Sequence, residues 1–126
     1  MKQFGIIVML MTLLLTGCGK TAEENHYCQI SQEEAKKMMD TQDVIILDVR
    51  EQNEFDAGHI QEAVLLPVGS ITEATAAAVI PEKNSVVLVY CRSGNRSKTA
   101  SQTLADIGYR NIYEFGGINT WTYEVE

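Results

Sequence analysis

Apolar residues from position 27 onwards occur in short continuous runs that alternate with stretches of helical spacing. The continuous run at residues 44–49 predicts a strand that is buried on both faces of a sheet. The runs at residues 63–68 and 85–90 predict two further strands. A shorter run at residues 111–115 predicts a last strand, and Cys28 lies at the start of a first one. The pattern therefore predicts about five short strands.

Helices are predicted between these strands. Ser31 and Glu34 form a capping-box pattern ahead of the first helix, and Ser70 and Glu73 form the same pattern ahead of another. Gly108 is placed to end a helix, because glycine readily adopts the left-handed conformation of a C-terminal cap. The helices predicted after the first one are residues 51–57, 70–79, 97–107 and 118–124.

The alternation of strands and helices indicates the fold class. It predicts an α/β domain with a parallel sheet of about five short strands and helices on both faces. A length of 126 residues leaves room for one such core. Because ligands of open parallel sheets bind at the carboxyl ends of the strands, the segment that follows residue 90 is the first place to look for chemistry.

The N-terminal segment has a different pattern. After Lys2, residues 4–16 carry no charge and are mostly Ile, Val, Met and Leu, which is typical of a signal peptide and too short to cross a membrane. The segment ends Leu15-Thr16-Gly17-Cys18, which resembles the bacterial lipobox. The resemblance implies cleavage before Cys18 and lipidation of its thiol. The alternative is a simple signal peptide or anchor in which this cysteine occurs by chance.

These features predict three parts along the chain. Residues 1–17 are a lipoprotein signal peptide, residues 18–26 are the lipidated cysteine with a flexible polar tether, and residues 27–126 form the folded domain. We therefore expect an extracytoplasmic lipoprotein of the bacterial cell envelope that contacts the membrane through its lipid anchor only.

Charge and cysteine usage exclude several classes of function. The net charge is −7, from 10 basic and 17 acidic side chains, which argues against binding of nucleic acid phosphates. The three cysteines contain no C-x-x-C pair, so the sequence predicts neither a metal site nor a disulfide framework.

A basic, glycine-containing segment follows the strand predicted at residues 85–90, where the next helix is about to begin. It consists of Cys91, Arg92, Ser93, Gly94, Asn95, Arg96, Ser97 and Lys98. A helix N-terminus attracts anions, and the glycine and asparagine tolerate positive φ, so the loop can point its N–H groups inwards. Together with three cationic side chains, this arrangement lowers the expected pKa of the Cys91 thiol. The segment predicts an anion-binding cup around a nucleophilic sulfur.

The motifs of the chain occur in an order that resembles a single-domain rhodanese, a sulfurtransferase. They are Asp48-Val49-Arg50-Glu51 with Glu54-Phe55, Gly58-His59-Ile60, the segment from Tyr90 to Ser97, Gly108-Tyr109, and Gly116-Gly117 followed by Trp121. The resemblance implies a twisted parallel sheet flanked by helices. It also implies that a persulfide on Cys91 carries sulfane sulfur, with no metal or organic cofactor. The donor would be a small anion such as thiosulfate, and the acceptor cyanide or a thiol, for example that of a thioredoxin-like protein.

The residues of the loop have expected roles. Arg92 is expected to bind the donor, and Arg96 to close the loop or to take part in binding. Ser93 and Ser97 are expected to act through their hydroxyls and by capping backbone groups rather than by chemistry. Lys98 either steers anions or is an ordinary residue of the first helical turn.

Two residues outside the loop are assigned structural support. Asp48 lies at the end of a predicted buried strand, where a carboxylate needs a partner that the nearby Arg50 or loop N–H groups can provide. His59 is assigned to packing or to loop hydrogen bonding, and Tyr109 and Trp121 to the core or its rim.

Three alternatives stay open on the sequence alone. A sulfur carrier that docks a protein partner without enzymatic turnover would use the same cup. A cysteine-based phosphatase or arsenate reductase is disfavoured, because the C-x4-R spacing from Cys91 to Arg96 is one residue shorter than the C-x5-R loop of phosphatases. Finally, Cys28 and Cys91 could form a redox pair.

Overall fold

The computed structural model describes residues 26–126 of the 126-residue chain. The predicted signal peptide, Cys18 and nearly all of the predicted tether lie outside the described residues. Within residues 26–126, no helix is long and apolar enough to cross a membrane.

The centre of the structure is a five-stranded sheet. Its strands, in chain order, are β1 Cys28–Gln29, β2 Ile45–Asp48, β3 Val64–Leu65, β4 Val86–Cys91 and β5 Asn111–Gly117. Their order across the sheet is β1-β5-β4-β2-β3, and every neighbouring pair is parallel. The predicted parallel α/β sheet is therefore confirmed, and β4 lies at its centre.

Four α-helices connect the strands. They are α1 Gln32–Thr41, α2 Gln52–Ala57, α3 Glu73–Val79 and α4 Asn95–Ile107, and two short 3-10 turns lie at Val68–Ser70 and Ile118–Thr120. The Ser31 hydroxyl caps α1 by accepting a hydrogen bond from the Glu34 N–H at 3.0 Å, as the sequence pattern predicts. Gly108 ends α4 with a φ of 123°, a conformation that favours glycine.

Side chains of β4 alternate between two hydrophobic clusters, one on each face of the sheet. Val87, Val89 and Cys91 belong to the cluster that contains residues of α3 and α4. Leu88 and Tyr90 belong to the other cluster, which contains residues of α1. The prediction of helices on both faces is confirmed, and the alternation directs Cys91 towards the side of α4.

Helix α3 begins later than the sequence pattern predicts. Its N-cap is Thr72, whose hydroxyl accepts from the Thr75 N–H at 3.1 Å, while the Thr75 hydroxyl accepts from the Thr72 N–H at 2.8 Å. The pattern at Ser70 and Glu73 is therefore not the capping box that is used. Ser70 instead ends a 3-10 turn, and its carbonyl accepts a hydrogen bond from the Thr75 hydroxyl.

The helix predicted at residues 118–124 is wrong, because only the 3-10 turn at its start is helical. The end of the chain is extended and pairs with the segment that follows α2. His59 and Glu126 exchange two backbone hydrogen bonds of 3.0 and 2.7 Å, and Ile60 forms an antiparallel bridge with Val125. These bonds replace the hydrogen bonds that a last helix would have made.

A buried polar network joins β2, β4 and the loop after α2. Asp48 is fully buried and accepts hydrogen bonds from the Arg50 Nε and Nη2 atoms at 2.9 and 2.7 Å. The Tyr90 hydroxyl donates to Asp48 at 2.5 Å and accepts from the Ile60 N–H at 3.0 Å. Arg50 also donates to the Gly58 carbonyl at 2.7 Å. Burial, and then the bond to Asp48, raise the pKa of Tyr90, so the hydroxyl stays protonated as a donor.

We expect Tyr90→Phe to lower the free energy of unfolding by about 1–3 kcal/mol, because the buried carboxylate of Asp48 and the Ile60 N–H both lose a partner. Chemical denaturation of the purified protein measures the change. Tyr113→Phe is the matched control: its hydroxyl forms no hydrogen bond within residues 26–126, so the change should stay within about 0.5 kcal/mol. Equal losses in the two variants would contradict a stabilising role of the network.

Candidate active site

Cys91 is the last residue of β4, at the carboxyl end of the central strand. Three residues separate it from α4, which begins at Asn95. Strand β4 thus delivers the thiol directly beneath the N-terminus of the longest helix among the described residues. This is the position that parallel sheets use for ligands, and the helix dipole there favours negative charge.

The Cys91 sulfur is held by hydrogen bonds from its own loop. The side chain is 1% exposed, and the Gly94 N–H donates to Sγ at 3.1 Å. Burial raises the pKa of the thiol, but the Ser97 hydroxyl and the backbone N–H groups of Ser97, Gly94 and Ser93 lower it by more. The net pKa of Cys91 is therefore below its ordinary value, as the sequence predicts.

Cys91 is a free thiol. Cys28 lies on β1, which is separated from β4 by β5. The structure does not pair these two cysteines.

Gly94 alone supplies the left-handed conformation that turns the loop. Its φ is 106°, and it directly precedes α4 as the N-cap residue. Asn95 was expected to share this role, but it is the first residue of α4 and has no positive φ. That expectation is wrong, because one left-handed residue is enough to connect β4 to the helix.

The end of β5 packs directly against the Cys91 loop. A Cβ atom at Gly117 would lie 1.9 Å from the Arg92 carbonyl oxygen, so only glycine fits at this position. The Asn119 N–H donates to the same carbonyl at 3.1 Å. The Gly116-Gly117 pair therefore keeps the loop in place and leaves no room for a side chain between the two segments.

The basic side chains of the loop are not equivalent. Arg96 forms two hydrogen bonds with Glu54, at 2.9 and 3.0 Å, which join α4 to α2. These bonds, and then one from the Glu51 N–H, lower the pKa of Glu54 to about 2. Arg92 and Lys98 are exposed, and neither forms an ion pair within residues 26–126. The loop thus presents fewer unpaired cations than its sequence suggests.

Glu114 lies beneath the loop, and the sequence interpretation missed it. It is 2% exposed, and its Oε2 atom accepts from the Ser97 hydroxyl at 2.5 Å and from the Gly116 N–H at 3.0 Å. The Gln29 amide donates to Oε1 at 3.2 Å. The available signal was an acidic residue between Tyr113 and Phe115 in the strand predicted at residues 111–115.

A β-bulge places Glu114 there. Val89 lies opposite Glu114, whereas Cys91 lies opposite Gly117, so β5 has two residues where β4 has only Tyr90. Gly116, with a φ of 95°, accommodates the extra residue. The bulge turns the Gly116 N–H towards the carboxylate of Glu114.

The remaining predicted residues differ in their position relative to Cys91. Ser93 is exposed in the loop, whereas Ser97 is fully buried on α4. Asp48 and Arg50 contact Tyr90, the residue before Cys91, and not Cys91 itself. His59 stacks on Phe55, with ring centroids 3.8 Å apart.

Comparisons with known proteins identify the family of the chain. The model of the rhodanese-like domain family matches residues 31–124. The thiosulfate sulfurtransferase GlpE of Coxiella burnetii is 35% identical over 96 residues, which are 75% of this chain and 87% of that protein. The thiosulfate sulfurtransferase PspE of Escherichia coli is 36% identical over 72 residues, which are 57% of this chain and 68% of that protein.

Solved structures show the same fold. A rhodanese with anions from E. coli has 27% identity and a TM-score of 0.62, over 67% of this chain and 98% of that one. A rhodanese-related protein from Thermoplasma volcanium has 28% identity and a TM-score of 0.64, over 78% of this chain and 96% of that one. The chain therefore belongs to the rhodanese-like domain family and is a sulfurtransferase of the rhodanese type.

Proposed function

We propose that this protein moves sulfane sulfur from a small anionic donor such as thiosulfate to cyanide or a thiol, through a persulfide on Cys91. The observation that carries the proposal is the Cys91 sulfur itself. It lies at the N-terminus of α4, accepts the Gly94 N–H at 3.1 Å, and has a lowered pKa. The names of the relatives GlpE and PspE, both thiosulfate sulfurtransferases, support the same donor.

In the first half-reaction, the Cys91 thiolate attacks the outer sulfur of thiosulfate. The sulfur–sulfur bond of the donor breaks, and sulfite leaves with the bonding electron pair. A new sulfur–sulfur bond on Cys91 stores the transferred atom. Because the thiolate and not the thiol is the nucleophile, the hydrogen bonds that lower the pKa of Cys91 also raise the fraction that can react near neutral pH.

The loop stabilises the charge of the intermediate. The outer sulfur of a persulfide carries negative charge, and the backbone N–H groups at the start of α4 are oriented before the reaction begins. Gly94 shows the required direction, since its N–H already points at Sγ.

In the second half-reaction, cyanide or a thiolate attacks the outer sulfur and Cys91 leaves as a thiolate. The enzyme is regenerated, so donor and acceptor react in a ping-pong cycle. A protein thiol, for example on a thioredoxin-like partner, would have to reach Cys91 through the exposed side of the loop at Arg92 and Ser93.

Arg92 is the residue best placed to attract the donor. Its side chain is exposed, and it forms no ion pair within residues 26–126, in a chain whose net charge is −7. Arg96 is less suited to this task, because Glu54 already holds its guanidinium. The same ion pair weighs against phosphatase chemistry, in which an arginine at this end of the loop would bind the phosphate dianion.

The lipobox-like sequence supports a location outside the cytoplasm. We propose that lipid on Cys18 anchors the protein to a bacterial envelope membrane and that the domain acts from the end of a short tether. A single acyl chain binds membranes only weakly, whereas the diacylglyceryl group of a lipoprotein supplies two.

Cys91→Ser should abolish thiosulfate:cyanide transfer, because a serine hydroxyl is a far poorer nucleophile near neutral pH. Cys28→Ser, the control on β1, should retain most of the activity. Intact-mass measurement after thiosulfate treatment should show one added sulfur atom, and peptide mapping should place it on Cys91. Sulfur found on Cys28 alone, or transfer that survives in Cys91→Ser, would overturn the assignment. A single turnover without a steady state would instead indicate a sulfur carrier.

Arg92→Ala should raise the KM for thiosulfate by about threefold to tenfold, as expected for the loss of one exposed charge contact. Alkylation of Cys91 by the neutral reagent iodoacetamide should change little, because the Arg92 side chain forms no hydrogen bond with the sulfur within residues 26–126. Lys37→Ala is the matched control, since it removes one exposed positive charge from α1. Parallel losses in both assays would mean that Arg92 acts on the thiolate rather than on the donor.

Cys18→Ser should leave the protein without lipid in bacterial cells, because it removes the thiol that carries the lipid, whereas a chain that starts near Thr21 should be soluble and fully folded. Mass spectrometry of the wild-type protein should show a diacylglyceryl group on an N-terminal Cys18. Wild-type protein in the cytosolic fraction with Met1 retained would refute the proposed location.

A further inference from the structure

A carboxylate lies buried beneath the nucleophile, and the reaction as described gives it no task. Glu114 is 2% exposed and accepts three hydrogen bonds, from Ser97, Gly116 and Gln29. No lysine, arginine or histidine among residues 26–126 forms an ion pair with it. A buried negative charge without a cation is costly, even when hydrogen bonds satisfy its oxygens.

Ser97 connects this carboxylate to the nucleophile. Its fully buried hydroxyl lies 3.5 Å from the Cys91 sulfur and 2.5 Å from the Glu114 Oε2 atom. The Cys91 thiol donates to the Ser97 oxygen, and Ser97 donates its own proton to Glu114. A hydroxyl has one proton to donate, so Ser97 lowers the pKa of Cys91 only when that proton turns to the sulfur and is no longer donated to Glu114.

We propose that Cys91 and Glu114 share one proton through the Ser97 hydroxyl, so that Glu114 is a positioning residue that sets the protonation state of the nucleophile. This inference deepens the proposed function and rests on it.

The proposed transfer conserves charge and protons. The Cys91 S–H proton passes to the Ser97 oxygen, and the Ser97 hydroxyl proton passes to the Glu114 Oε2 atom. The products are a thiolate and a neutral carboxylic acid, and Ser97 now donates to Sγ. Nothing is oxidised or reduced, and the three side chains together carry one negative charge before and after the transfer.

The shared proton also fits into the reaction cycle. After the thiolate attacks the donor and sulfite leaves, Glu114 keeps the proton while the persulfide is present. When the acceptor removes the outer sulfur, Cys91 is released as a thiolate, and the proton can return to it through Ser97. The site therefore never needs to hold a thiolate and an ionised carboxylate together when an anionic donor arrives.

The surroundings offer little to replace this arrangement. From β1, the group that faces Glu114 is the neutral amide of Gln29. From β4, the titratable group is Cys91, which Ser97 of α4 connects to Glu114. From α4, Arg96 is held by Glu54, and Lys98 is exposed. Arg92, on the loop, is also exposed.

The test is the pH dependence of Cys91 alkylation by iodoacetamide. Wild-type protein should show two ionisations, as expected for two coupled groups. Glu114→Gln should show one ionisation. Its midpoint should lie about one pH unit below the upper midpoint of the wild-type protein, because a neutral amide leaves the Ser97 proton free to bond to the thiolate. Ser97→Ala should also show one ionisation, because it removes the connecting hydroxyl.

The double variant decides how the two groups are coupled. In the Ser97→Ala background, Glu114→Gln should shift the midpoint by less than half as much as it does with Ser97 present. An undiminished shift would mean repulsion through space and would overturn the shared proton. A single ionisation in the wild-type protein, or Glu114→Gln changing thermal stability but not the profile, would also overturn it.

Two further features keep the experiment decisive. If Glu114→Gln does not fold, the wild-type and Ser97→Ala profiles still test the proposal. The wild-type protein must show two ionisations and Ser97→Ala only one, and any other result overturns the shared proton. Alkylation uses no sulfur donor, so the result does not depend on persulfide formation. Absence of sulfur on Cys91 after thiosulfate treatment would refute the proposed function and leave the alkylation result unchanged.

Discussion

The site depends on the close approach of the end of β5 to the loop that follows β4. Gly117 leaves no space for a Cβ atom against the Arg92 carbonyl, and the bulge at Gly116 sets the distance between the two segments. This contact fixes the loop so that the Gly94 N–H points at the Cys91 sulfur. It also places Glu114 under Ser97. One backbone constraint therefore positions both the nucleophile and the carboxylate next to it.

The electrostatics of the cup come more from backbone than from side chains. The sequence places three cations within the loop segment, but Arg96 is paired with Glu54 and serves to join two helices. What remains at the sulfur is the set of N–H groups at the start of α4, with Arg92 exposed at the rim. Such a cup suits one partly charged sulfur atom better than a phosphate dianion, which needs more charge-assisted bonds.

Much of the fold could be predicted, because strands buried on both faces appear as unbroken apolar runs, as at Val86–Cys91. Local sequence patterns gave wrong helix boundaries where another capping pair or a long-range backbone pairing was used instead. Thr72 and Thr75 form the cap that Ser70 and Glu73 were expected to form, and pairing with His59 keeps the chain end extended. The Cys91 loop could be predicted from the sequence because its functional residues are consecutive in the chain. The contact of Glu114 with Ser97 was not, since it depends on a bulge between strands that no single segment encodes.

Two buried polar networks lie on opposite faces of β4, and they differ in charge. Asp48 and Arg50 neutralise each other in the network around Tyr90, which does not include the nucleophile. The network of Cys91, Ser97 and Glu114 contains no cation from residues 26–126, and it is the one in which we propose a shared proton. Burying an unbalanced charge lowers stability, and proteins tolerate such losses mainly where function requires them. The unbalanced network is the one that contains the nucleophile, which is where a change of protonation has a chemical consequence.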